Sequence, residues 1–295
     1  MLLTRSFAHR RATLFGLAGA FALLTFLVSP QGQAFAAQLL NLFKGQSVKA
    51  VPTDMAHIEN AYYTLYELDN LGTLQGTVPT GLSSVSSASQ AASVSGLTLA
   101  IPSTIPTGLN STPKAQALAP RTLTLTLNKV KADQYFQAEG SSVRMPSKFN
   151  NVKLVMSFPG VALLEYGGTN GGKLFVGQAG QLKVDIDNPG STNITVTEMR
   201  DYLLAMPDLS PDTATTIKNL SNWQTSIPLA VPLDRAGWSN ATVSGPFAGS
   251  GVILNDNTGI GSALLWQTSN GLRSIGIAGY GLKASDLQNI ASSLR

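Results

Sequence analysis

The longest unbroken apolar pattern in the chain is at residues 12–28, ATLFGLAGAFALLTFLV, seventeen positions without an acidic or basic side chain. Arg5, His9, Arg10 and Arg11 stand before it. After it come Ser29-Pro30-Gln31-Gly32-Gln33 and then Ala34-Phe35-Ala36-Ala37. A cationic lead, an apolar centre and an A-x-A site are the parts of a secretory signal. The same run also meets the roughly 17–25 residues that a membrane span requires. Basic flanks stay in the cytoplasm under either reading, so residues beyond about 37 are expected outside the cytoplasmic membrane. The run is long for a signal core, and Leu39, Leu42 and Phe43 continue a helical stripe past it. A retained single-pass anchor through residues 12–28 is therefore the expectation, with cleavage and secretion as the alternative. Arg10-Arg11 matches the start of a twin-arginine signal, but the following Ala-Thr-Leu-Phe fits that signal poorly.

Downstream, apolar positions switch between the helical period and the strand period. Helical spacing covers residues 54–71, with Ile58, Tyr62, Leu65 and Tyr66, and residues 86–95, with Ala88, Ala91, Ala92 and Val94 ahead of a stop at Gly96. It returns at residues 129–140, with Ala132, Tyr135 and Phe136, and at 285–294, with Leu287, Ile290 and Leu294. Thr195-Val196-Thr197-Glu198 forms a capping box for a helix over 198–206. Ser210-Pro211-Asp212 opens another helix, which carries Ile217, Leu220 and Trp223.

The strand period is clearest at residues 121–128, where Leu123, Leu125 and Leu127 alternate with Thr122, Thr124 and Thr126. One buried and one wet face predict an antiparallel sheet. Val152, Leu154, Met156 and Phe158 repeat the pattern, and residues 161–166 and 173–178 add two more strands. Four short strands follow, at 242–243, 251–254, 263–266 and 272–278. The turn signals among them are 255–259 and Ser269-Asn270-Gly271, where Asn-Gly predicts positive φ at both positions. Residues 71–119, rich in Ser, Thr, Gly and Pro, read as partly linker. The fold class expected is α+β: a curved antiparallel sheet with packed helices behind an N-terminal membrane or signal helix. Residues 1–36 form the export segment, 37–85 a stalk helix and linker, and 86–295 the extracytoplasmic domain.

Charge changes little in this picture. Only 12% of residues are charged and the net charge is +4. Three of the twenty basic residues lie in the lead, which leaves 17 basic against 16 acidic beyond it. No basic face for nucleic acid is expected. The chain has no cysteine, so disulfides and thiolate metal sites are excluded.

The search for chemistry returns little. No serine lies in G-x-S-x-G, and His57 is the only histidine past the lead, which leaves little to activate a nucleophile. H-E-x-x-H, EF-hand and P-loop patterns are missing from the sequence. Gly259-Ile260-Gly261 and the glycine-rich 245–251 join no strand to a helix and read as turns. Asp185 and Asp187 are the carboxylate pair to weigh for a hydrolase; solvated surface is the favoured reading. Trp266 and Trp223 are assigned to the core. Trp238, assigned to a loop, is the candidate ligand or partner contact. Catalytic, cofactor and metal residues are all expected to be none.

The stretch Leu265-Trp266-Gln267-Thr268-Ser269-Asn270-Gly271, with a following strand and a helix ending Asn289-Ile290-Ala291-Ser292-Ser293-Leu294, resembles the C-terminal pattern of DUF4367 domains. Residues 88–109, a helix and then Leu-Thr-Leu-Ala-Ile-Pro-Ser-Thr-Ile-Pro-Thr-Gly-Leu, resemble the same group's P-x-x-x-P-x-G segment. Residues 31–44 are similar to the membrane-exit segment of anti-sigma-like envelope proteins. The resemblance implies a lipoprotein-carrier and RseB-like fold, a half-barrel with helices over its concave side. It also implies a non-enzymatic sensor or binding role in a bacterial envelope, with an envelope protein or an apolar ligand as partner. About eleven residues precede the apolar run, so no cytoplasmic sigma-binding domain is expected. A secreted carboxylate hydrolase and a structural or adhesive envelope protein are the alternatives.

Overall fold

Leucine on every second residue makes Arg121–Leu127 a strand, β5, with Leu123, Leu125 and Leu127 buried and the threonines on the wetter side. The strand β6 (Lys153–Phe158) repeats the alternation with Leu154, Met156 and Phe158. The two pair antiparallel from Arg121↔Phe158 to Thr126↔Lys153. With β2 (Gly72–Gln75) and β9 (Lys183–Asp187) they form a four-stranded sheet in the order β2-β5-β6-β9. The computed structural model describes residues 47–53, 69–76, 82–168, 172–180, 183–187, 194–205, 226–232, 236–256, 261–271 and 273–295. The apolar run 12–28, most of the helix expected at 54–71, the helix expected after Ser210, His57 and Trp223 lie outside the described residues. Among the described residues no helix is long and apolar enough to cross a membrane.

A second sheet has eight strands. Its members are β3 (Ser83–Val85), β4 (Lys114–Leu118), β7 (Val161–Gly167), β8 (Lys173–Gly180), β11 (Ala236–Val243), β12 (Gly249–Asp256), β13 (Gly261–Thr268) and β14 (Arg273–Tyr280). The order is β11-β12-β13-β14-β8-β7-β4-β3, and every neighbouring pair is antiparallel. A separate parallel pair joins β1 (Ser47–Thr53) to β10 (Ser226–Pro232), and β1 lies against β12 and β13.

The chain passes between the two large sheets at tight corners. β4 hands over to β5 through Ala119-Pro120, and β6 to β7 through Pro159-Gly160. Corners of this kind let strands of one sheet feed another packed across it. The architecture is thus α+β, rich in antiparallel sheet, and no closed barrel forms among the described strands.

Among the described residues four α-helices complete the layers. In α1 (Ala88–Ser95) the Ser87 hydroxyl accepts the Gln90 N–H, and Gly96 at φ 66° ends the helix. In α2 (Lys129–Ala138) the cap is Asn128, whose side chain accepts from Lys131. In α3 (Val196–Leu203) the capping box closes: Thr195 Oγ1 accepts the Glu198 N–H at 3.2 Å, and the Glu198 carboxylate accepts the Thr195 N–H at 3.0 Å. In α4 (Ala284–Ser292) the Asp286 carboxylate accepts the Lys283 N–H.

The eight-stranded sheet is covered on both faces in its middle. On one side Val252, Leu254, Ala263, Leu265 and Ala278 join the core of the four-stranded sheet, α2 and α3. On the other, Ile253, Leu264, Trp266, Ile275 and Ile277 pack with Ala91 of α1 and with Leu287, Ile290 and Ala291 of α4. All eight residues of β13 are therefore buried, the signature of a strand enclosed on both faces.

Several strands were not anticipated by the pattern. The 71–119 stretch read as partly linker holds β2, β3 and β4. The Asn-Gly hairpin also differs from expectation. Gly271 takes φ 69° while Asn270 does not enter positive φ, and the Gly271 N–H donates to Thr268 O at 2.7 Å. The four-residue turn Thr268–Gly271 carries a single left-handed residue, at its glycine.

Candidate functional site

β11 is the first strand of the eight-stranded order, so one of its sides faces no other described strand. It pairs with β12 through its full length, from Ala236↔Asp256 to Val243↔Gly249. The strand is anchored by its odd positions: Ala241 and Val243 are buried beside Ile253, Trp266 and α4. Gly237, Trp238, Ser239, Asn240 and Thr242 are exposed.

Trp238 is the correction that matters most. It belongs to this edge strand and not to a loop. Its Cα partner is Leu254, which is buried, while the tryptophan itself is 38% exposed. The register continues from Trp238 through Leu254, Ala263 and Ala278 to Phe175, so the indole stands at the open end of a row that crosses the sheet.

The other edges of the two large sheets differ from this one. β3 has three residues and β2 four. β9 carries Lys183, Asp185 and Asp187. Short length and charge are the usual means of blunting a sheet edge. The sequence of β11, AGWSNATV, spans eight residues with no charge and no proline. In an antiparallel edge strand, alternate N–H and C=O groups point away from the sheet. What this arrangement can do chemically is accept another extended backbone.

The other residues singled out from the sequence take structural places. Trp266 is fully buried and its Nε1 donates to Phe247 O at 2.8 Å. Asp185 and Asp187 both lie on β9, where Asp187 stands 3.8 Å from Lys153 and both aspartates are exposed. Among the described residues no group of three or more His, Asp or Glu side chains is placed to hold a metal ion.

Two polar side chains near the β13–β14 turn escaped the sequence reading. Gln267 is 2% exposed; its amide nitrogen donates to Gly271 O at 3.0 Å, while its Oε1 has no hydrogen-bond partner. Arg273 lies 5.3 Å from the Phe247 ring centroid with one guanidinium nitrogen buried and unpartnered, and burial lowers its pKa. Neither position carries a motif that a sequence search could find.

No family model, no curated protein and no solved structure matches this chain.

Proposed function

We propose that the chain is a non-enzymatic extracytoplasmic envelope protein, anchored through residues 12–28 or released after cleavage, that recruits a polypeptide partner by adding a strand to β11. The observation that carries the reading is the uncharged outer edge of β11, which pairs with no other described strand, with Trp238 beside it. Strand addition draws affinity from main-chain hydrogen bonds and selectivity from alternate side chains, and an exposed tryptophan is a frequent anchor at such contacts. The export segment supports the location: a basic lead and seventeen apolar residues come ahead of the folded body.

The lipoprotein-carrier-like half-barrel and the DUF4367-like assignment belong to the same proposal. Support for them comes from the wide antiparallel sheet with α1 and α4 on one face, and from the Trp266 hairpin that leads into α4. A polypeptide partner is favoured over an apolar ligand because the middle of the sheet is packed on both faces by the protein's own side chains.

Location is tested by fractionating cells that express the full chain with a C-terminal epitope, and by treating spheroplasts with protease. The epitope is expected outside the cytoplasm and open to protease. A full-length product in the soluble cytoplasm would remove the reading. Partner recruitment is tested by placing a photo-crosslinking residue at position 238 in the same cells; an adduct is expected.

A further inference from the structure

The proposed strand addition leaves its occupant open, and the chemistry of β11 narrows it. We infer that the occupant is β11 of a second copy of this chain, paired antiparallel about a twofold axis, so that two eight-stranded sheets continue as one; this rests on the strand-addition reading above.

A twofold contact is isologous: each residue meets either its own copy or a residue of the same strand. Like charges directly opposite one another destabilise such a pairing. β9, centred on its middle residue, would set Asp185 against Asp185. β11 has no charged residue to repel its copy. An antiparallel twofold also keeps the same face of both sheets on the same side, so residues of like parity pair. Only registers centred on a residue satisfy that condition, and those centred on Ser239 or Asn240 use almost the whole strand. In the first, Trp238 faces Asn240 of the second copy; in the second, it faces Thr242. Both neighbours are short, neutral and exposed here, and each leaves room for the indole to lie across the joint. The flanking Gly237 and Ala241 are small, so no bulky side chain holds the two backbones apart.

The chain has no cysteine, so single thiols report the register directly. S239C and N240C are made separately in the full-length chain, solubilised in detergent and mildly oxidised. D185C, on the charged edge, is the comparison. The residue on the axis has a Cα–Cα separation of about 4.5–5.5 Å from its copy, within the ~4.4–6.8 Å that a disulfide spans. The residue one step off the axis lies beyond that reach. One of S239C and N240C is therefore expected to give a disulfide-linked dimer at least tenfold faster than both the other and D185C. Equal rates at all three positions, or no dimer from either β11 variant, would overturn the inference.

The crosslinker at position 238 separates the two levels of the argument. An adduct at twice the chain mass supports self-pairing. An adduct with a different polypeptide overturns self-pairing and leaves strand addition standing. The absence of any adduct overturns both. As a non-covalent check, N240K places two ammonium groups at or beside the axis, and sedimentation of the detergent-solubilised chain is expected to show the dimer lost. A persistent dimer would count against β11 as the interface.

Discussion

Gln178 holds Ala100 at both ends of its peptide groups. The Gln178 Oε1 accepts the Ala100 N–H at 2.6 Å, and the Gln178 Nε2 donates to the Ala100 C=O at 2.8 Å. Both residues are fully buried, and 78 positions separate them in the chain. The side chain acts as a one-residue piece of strand for a segment that joins no sheet there. The next residue, Ile101, exchanges two backbone hydrogen bonds with Arg295, at 2.9 and 3.0 Å. One glutamine thus fixes the strap that ties α1 to the end of α4.

Gln178→Leu keeps the volume of the side chain but leaves a buried N–H and a buried C=O unpaired. Each such group costs about 1–3 kcal/mol, so a loss of about 2–6 kcal/mol is expected in urea unfolding. A loss under about 1 kcal/mol would mean that the strap finds other partners.

Gly160 packs where no Cβ fits. A carbon added there would sit 1.8 Å from Ser95 O, the backbone carbonyl of the last residue of α1. Gly160→Ala must push α1 away from the β6–β7 corner, and a loss of about 3 kcal/mol is expected, in the upper range for single substitutions. Limited proteolysis near residues 95–97 should quicken along with the fall in Tm. Unchanged proteolysis would place the strain elsewhere.

Tyr166 inverts the usual cost of removing a hydroxyl. Its ring is buried in β7 and its hydroxyl has no hydrogen-bond partner. Tyr166→Phe is therefore expected to raise stability by about 1 kcal/mol, since an unpaired buried polar group is removed. Burial also raises its pKa from 10.0 to about 12. The folded state thus keeps the proton more tightly than the unfolded chain, and stability falls as pH climbs from about 10 to about 12. The phenylalanine variant should show a flatter alkaline limb in a pH series of melts.

Glu198 ties α3 to the loop ahead of β6. Its carboxylate pairs with Lys148 and closes the Thr195 capping box, and these contacts hold its pKa at about 2 against an ordinary 4.5, the Lys148 hydrogen bond contributing most. A lowered folded pKa supplies stability above the unfolded value that disappears as pH falls through the folded one. The docking of α3, read from its Met199 and Tyr202 resonances, should therefore loosen between pH 4.5 and 2. Glu198→Gln should loosen it at neutral pH and remove the acid dependence. An unchanged acid profile in that variant would assign the effect to another carboxylate.

Much of this architecture was legible because local chemistry and tertiary need agree. The Leu-Thr alternation of β5, the apolar alternation of β6, the Thr195 cap and the Leu287 and Ile290 stripe of α4 fold as their spacing predicts, while Leu294 falls beyond the helix end at Ser292. Period and capping are properties of a dozen neighbouring residues, so sequence alone determined those elements. Sequence alone also determined the charge-free run at residues 12–28 and the lack of a thiol. The tertiary structure decided the rest. AGWSNATV is weak strand sequence, and β11 forms because β12 supplies a complete ladder and Ala241 and Val243 find a core. Which strand stands outermost among the described ones depends on the order of eight strands gathered from residues 83 to 280, and the bond between Gln178 and Ala100 exists only once that order is in place. Such long-range pairings leave no periodic trace in the chain, because each partner's local pattern is satisfied without the other.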